Sequence, residues 1–264
     1  MRSPANETLT DPAVARFVLL TTQRTGSSWL TTLLDSHPNA DAYGELFLPG
    51  EGARPPWGAR TVERFWSARS KLGESGRSQR RPRVTFSYLD HLFASHPRVR
   101  AIGFKLMYDQ AVKYPEILVY CIRNRVRVIH LVRPNVLDMV ISRELMVVRG
   151  EAHATAADEV APVRVTLDPA GIRRRLRLLE LETVSFRRAL RMLRLRHLEV
   201  AYDALVSDGR ILEDVLRFLD LPADTDLESP LVKVNDRRQS ELVENYAAVS
   251  KSLRGTRYAA FLTG

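Results

Sequence analysis

Residues 22–28, Thr-Gln-Arg-Thr-Gly-Ser-Ser, put an arginine, a glycine and four hydroxyl side chains into one short polar break. The apolar run Phe17-Val18-Leu19-Leu20 precedes the break, and Trp29, Leu30, Leu33 and Leu34 follow it at helical spacing. Strand, tight turn and helix are therefore expected in that order. Gly26 lets the backbone come close to a ligand. The N–H groups that open a helix, with the Ser27 and Ser28 hydroxyls, suit a small anion. Arg24 adds a fixed positive charge. The nucleotide-triphosphate loop G-x-x-x-x-G-K-S/T needs an earlier glycine and a lysine directly after the second. Here Gly26 stands alone and Ser27 follows it, which disfavours an ordinary ATP or GTP loop. Taken by itself, the turn is equally consistent with serines that only cap a helix.

A second place with chemistry lies in HLVRPNVLDMVISRELM. Arg133 ends an apolar run and Ser142 follows nine residues later, with the start of a helix between them. The pair can grip a phosphate from two sides, or Arg133 can be a strand-end arginine in a surface ion pair.

Other elements must position these residues. DAYGELFLPGEGARPPWGAR, rich in Gly and Pro, reads as loop. Helix-like segments are expected near Thr61–Leu72 and Thr85–Ala94, and a strand ending near Lys105 in VRAIGFKLMY. A helix is expected in KYPEILVYCIRNR, then a strand over Val126–Val132 and a helix with Pro134 in its first turn. Glu151–Asp168 lacks clear periodicity and reads as a mobile loop. RRRLRLLELETVSFRRALRMLRLRH, Arg173–His197, reads as an arginine-coated surface helix. HLEVAYDALVSD reads as a short strand entering a helix that ends near Asp220. Strands alternating with helices imply a parallel sheet covered on both faces. The turns after Leu20, Phe104, Val132 and Val200 should then gather at the carboxyl ends of the strands.

With 264 residues and 45% hydrophobic content, the chain suits one large domain better than two small ones. No run of eighteen apolar residues and no secretion signal is visible, so a soluble cytoplasmic protein is expected. The net charge of +9 favours anionic partners. Only five of the forty basic residues are lysines, and the arginines are spread along the chain without aromatic interleaving or a recognition-helix motif. Nucleic acid is not the expected partner. The single cysteine, Cys121, sits in an apolar helical context and reads as a core residue. His91, His96 and His130 lack metal-ligand spacing and read as structural.

The two anion-holding segments in combination resemble the sulfotransferases. That family has a strand-turn-helix with R-S/T-G-S/T-S/T near the N-terminus and a mid-chain strand ending in Arg, with Ser nine residues on. The resemblance extends to GELF (Gly44–Phe47), GFKLMY (Gly103–Tyr108), VAYDALVSD (Val200–Asp208) and NYAAVSKSLRGTRYAAFL (Asn245–Leu262), so it covers nearly the whole chain. It is closest to the bacterial branch acting on carbohydrates, lipids and other small metabolites. It implies an α/β, P-loop-like three-layer fold with a central parallel sheet flanked by helices. It also implies one domain over 1–264, with mobile or acceptor-side segments near 48–83 and 150–168.

The implied donor is 3'-phosphoadenosine 5'-phosphosulfate, with no metal, and the implied acceptor is a hydroxyl of a small molecule. Thr25, Gly26, Ser27, Ser28 and Trp29 would line the 5' side, Arg133 and Ser142 would hold the 3'-phosphate, and Tyr202 would either contact adenine or serve as a core aromatic. Arg254-Gly255 matches a basic-Gly element at the 3'-phosphate over two residues only. Arg24 stands where the cytosolic phenol and steroid enzymes carry Lys, and GFKL has no His where those enzymes place a base. The Glu of GELF resembles the catalytic Glu of the bacterial and Golgi-type branches, which makes Glu45 the expected base, with Arg24 and Lys105 offsetting charge on the sulfuryl and bridging oxygens. A nucleotide kinase-like protein is the competing enzyme class, but GFKLMY and VIHLVRP supply no strand-end Asp for magnesium.

Overall fold

The computed structural model describes residues 14–48, 62–71, 81–94, 99–150, 163–223, 225–231 and 237–263. The chain begins with β1 (Ala15–Thr21), α1 (Ser27–Asp35), β2 (Ala40–Glu45), α2 (Phe65–Lys71) and α3 (Arg81–Ala94). It continues with β3 (Ala101–Met107), α4 (Tyr108–Lys113), α5 (Glu116–Arg123), β4 (Arg127–Val132), α6 (Val136–Arg149) and α7 (Ile172–Met192). β5 (His197–Ala201), α8 (Tyr202–Ser207), α9 (Gly209–Phe218), α10 (Gln239–Leu242), α11 (Tyr246–Leu253) and a 3-10 helix at Arg257–Phe261 complete it.

The five strands form one sheet in the order β2-β3-β1-β4-β5, and every neighbouring pair is parallel. Alternation along β1 splits the core in two. Val18 and Leu20 join Phe104, Leu106 and Val128 under α3, α4 and α5, whereas Phe17 and Leu19 join Ile129, Leu131 and Val200 under α1, α8 and α9. Each fully buried aliphatic or aromatic side chain of this kind contributes about 1.5–3 kcal/mol. Both faces are covered, as parallel strands joined by helical crossovers require, so the fold is a three-layer α/β sandwich. A third apolar cluster unites α6 and α7 with α11, Leu167 and Tyr258 beside the sheet.

Several elements differ from the sequence expectation. Residues 41–45, the start of the stretch read as loop, belong to the edge strand β2. Ala40, Ala42 and Tyr43 are buried against α1 and β3, and this tertiary packing overrides a weak local signal. β3 runs past Lys105 to Met107, and α4 follows without a loop. Pro134 lies outside α6, because Asn135 is the N-cap and its side chain accepts from Asp138 N–H at 3.2 Å. Residues 163–168, expected to be part of a mobile loop, are tied down. Val165 N–H donates to the Leu242 carbonyl at 2.9 Å, and Val165 and Leu167 are buried in the third cluster. The remainder of that segment, 151–162, and residues 49–61 and 72–80 of the other acceptor-side segment lie outside the described residues. Cys121 is buried as expected, and burial pushes its thiol up to about 12.

Candidate functional site

The carboxyl ends of β1, β3 and β4 meet at the turn between β1 and α1. Strand order reverses direction there: from β1 the chain runs to the edge strand β2 and returns through β3 on one side of β1, then crosses to β4 and β5 on the other. Two residues of the turn are left-handed, Arg24 at φ 64 and Gly26 at φ 79. The Thr21 and Thr25 hydroxyls lie 2.6 Å apart, and Thr21 Oγ1 donates to the Leu131 carbonyl of β4 at 2.8 Å, which fixes the turn to the sheet. A Cβ on Gly26 would fall 2.1 Å from the Tyr202 ring, so only glycine lets that ring close over the turn. Gly26 is the N-cap residue of α1, so the helix opens beside Ser27 and Ser28 without a side-chain cap. Trp29 is half-buried against the second apolar cluster.

On the β2–β3 side stands a carboxylate and an ammonium group. Lys105 Nζ lies 3.0 Å from Glu45 Oε1 and donates to Ser28 Oγ at 3.1 Å, so one ammonium joins the turn to the carboxylate. The register produces this meeting. Tyr43 pairs with Phe104 and Glu45 with Lys105, so two residues of β2 oppose one step of β3 at Gly44. Without that shift, Gly44 would face Lys105 and Glu45 would follow Tyr43 into the first core. Glu45 Oε2 accepts from Gln110 Nε2 at 2.8 Å. Gln110 was missed by sequence reasoning, although its place three residues after Met107 at a helix start is a capping signal.

On the β4 side stands a group of arginines. Arg24 reaches α6, where Nε donates to Ser142 Oγ at 2.9 Å. Arg133 pairs with Asp138 at 3.0 Å, lies 4.0 Å from Asp203 and sits over the Tyr202 ring at 5.2 Å. Burial, then repulsion from Arg133 and Arg149, lowers the proton affinity of the Arg24 guanidinium. The structure thus brings Arg24, Arg133, Ser142 and Tyr202 together and sets Glu45, Lys105 and Ser28 together on the other side of the turn. Arg254 and Gly255 sit at the exposed C-terminal end of α11, and no described hydrogen bond or ion pair joins them to the turn.

His130 is inaccessible. It is fully buried in β4, with Nε2 2.6 Å from Tyr108 Oη and Nδ1 3.1 Å from Glu199, which Arg187 holds in turn. Burial lowers its pKa to about 4 despite Glu199. Asp109 is exposed at the start of α4. Among the described residues no three or more His, Cys, Asp or Glu side chains gather as a metal site. None of the described helices is long and apolar enough to cross a membrane.

No protein-family model matches the chain, and no curated protein matches it. Solved structures with a similar course include a sulfotransferase from Alicyclobacillus acidocaldarius. It is 16% identical, with 91% of this chain and 93% of that one covered at a TM-score of 0.49. The sulfotransferase domain from the curacin biosynthetic pathway is 14% identical, with 95% and 83% covered at a TM-score of 0.44.

Proposed function

We propose that the chain transfers a sulfuryl group from 3'-phosphoadenosine 5'-phosphosulfate to a hydroxyl of a carbohydrate, glycolipid or other small metabolite. The observation that carries this reading is the line Ser28–Lys105–Glu45, which sets a carboxylate and a cation next to a turn suited to an anion. The residues on the other side of the turn fit a second phosphate. Arg133 Nε is buried without a hydrogen-bond acceptor, and burial followed by repulsion from Arg133 and Arg149 lowers the proton affinity of Arg24. A bound anion would relieve both.

The donor supplies an activated sulfuryl group whose sulfur–oxygen bond to the 5'-phosphate breaks as the bond to the acceptor oxygen forms. Glu45 takes the proton of the acceptor hydroxyl. Lys105 offsets negative charge on the transferring group and on the oxygen that leaves with the phosphate. Ser28 and the opening N–H groups of α1 hold the 5' side, and Arg133 and Ser142 hold the 3'-phosphate. Arg24 stands beside Ser142, which supports a place for it on the 3' side and leaves the transferring group to Lys105. Tyr202, between Gly26 and Arg133, is the aromatic surface within reach of a nucleobase. Acceptor choice is assigned to the segments near 48–83 and 150–168.

Calorimetric titration with adenosine 3',5'-bisphosphate, ATP and duplex DNA tests the reading. The bisphosphate is expected to bind at least about tenfold more tightly than ATP, one charge-assisted contact being worth that much. Equal or weaker binding would remove the donor assignment.

A further inference from the structure

The two oxygens of Glu45 are held by two residues of one strand-to-helix turn, and the two holds differ in kind. Gln110 is 3% exposed; its Oε1 accepts from Met107 N–H at 3.3 Å while its Nε2 donates to Glu45 Oε2 at 2.8 Å. The amide is therefore fixed at both ends, and its orientation is set, because a reversed amide would turn its oxygen toward the carboxylate and its NH₂ toward another donor. Lys105 hangs on a flexible four-carbon stem and divides its ammonium between Glu45 Oε1 and Ser28.

We propose that Gln110 is a positioning residue for the transfer: it anchors Glu45 through Oε2, so that Oε1 is presented as the proton-accepting oxygen once Lys105 turns to the charge on the transferred group. The proposal rests on the reading of Glu45 as base. A carboxylate released by its cation and held by nothing else would rotate, and the loss of a near-attack orientation is costly in rate. Among the described residues, Lys105 of β3 is the charged group in contact with Glu45. α1 offers the neutral Ser28 hydroxyl and α4 the neutral Gln110, next to exposed Asp109, which in turn influences Glu182 of α7.

Gln110→Glu separates the contact with Glu45 from the capping of α4, since glutamate at this helix position still accepts the Met107 N–H. It replaces the donor toward Glu45 with a second carboxyl, and two carboxyl groups so close share one proton. Gln110→Met, of similar length and without polar atoms, is the second variant. Carbon-13 NMR of glutamate-labelled protein, with the Glu45 signal assigned by its loss in Glu45→Gln, reads the titration without any ligand. The Glu45 midpoint should rise by about one pH unit or more in Gln110→Glu and by less in Gln110→Met. Hydrolysis of the phosphosulfate donor by water should fall about tenfold or more at neutral pH, with bisphosphate affinity unchanged.

A Glu45 signal that titrates as in the wild type in both variants overturns the proposal. A shifted midpoint with an unchanged rate of donor hydrolysis overturns it as well. Failure of the wild-type protein to bind the bisphosphate or turn over the donor would instead bring down the transferase reading, and the catalytic part of the proposal with it, while the titration result stood.

Discussion

The Glu45 carboxylate meets the Lys105 ammonium at 3.0 Å because β2 slips by one residue against β3 at Gly44. A side chain that the alternation of the strand would have sent into the core is turned to the mouth of the sheet. The same lysine reaches Ser28, so the Glu45 carboxylate and the turn that opens α1 share one cation.

Replacing Glu45 by Gln should lower turnover by at least about a hundredfold while leaving bisphosphate affinity within about twofold, since the amide keeps shape but cannot take the proton. Steady-state rates together with calorimetry check this. A variant that turned over near the wild-type rate would move the base elsewhere.

Ser142→Ala and Arg133→Ala should each weaken bisphosphate binding by about 10- to 150-fold, the equivalent of a charge-assisted contact of about 1.5–3 kcal/mol. Ser142 is the cleaner of the two, because Arg133 also pairs with Asp138, a carboxylate that Gln239 holds as well. Adenosine 5'-phosphosulfate, which lacks the 3'-phosphate, should be a poor donor for the wild type. Unchanged affinity in both variants would dissolve the assigned 3' site.

Gly26→Ala should destabilise the protein by about 2–4 kcal/mol, combining a left-handed backbone position with a collision against the Tyr202 ring. Tyr202→Ala in the same chain should recover the collision part and leave the backbone part. Urea unfolding of the single and double variants measures both. Wild-type stability in Gly26→Ala would contradict the packing of Tyr202 on the turn.

Stability should fall on acidification between about pH 6.5 and pH 4. Burial holds His130 neutral with a pKa near 4 against 6.5 for the free side chain, so in that window the unfolded chain binds more protons than the folded one. The contribution is complete above the unfolded value and lost as pH drops through the folded one, about 3 kcal/mol in all. Glu199 acts in the same sense. Burial raises its pKa, but Arg187 and His130 more than offset that and leave it below the usual carboxylate range. Urea midpoints across this window, for wild type and His130→Gln, give the test. A slope that is the same in both would exclude His130 as the source.

The sheet, the turn at Gly26 and the strand-end Arg133 were legible in the sequence because each is written in contiguous residues: an apolar run, a glycine with hydroxyls, an arginine before proline. β2 was not, since a short edge strand containing Asp41 and Gly44 and followed by Gly and Pro carries a loop's local signal and is made a strand by its neighbours. Arg24 was legible as a charge but not as a direction. Its backbone is left-handed and its side chain lies against Ser142. Gln110 could be seen only as a helix-start residue, because its second partner lies on β2, far away in the chain.

The Tyr202 ring that closes over Gly26 belongs to the last strand-to-helix turn of the sheet, whereas the glycine belongs to the first. During synthesis the turn therefore leaves the ribosome long before its own wall exists, and β1 must wait for β3 and β4 as well. The turn is in this sense closed last: a chain shortened before β5 and α8 would hold the residues of the turn without the ring that packs on them.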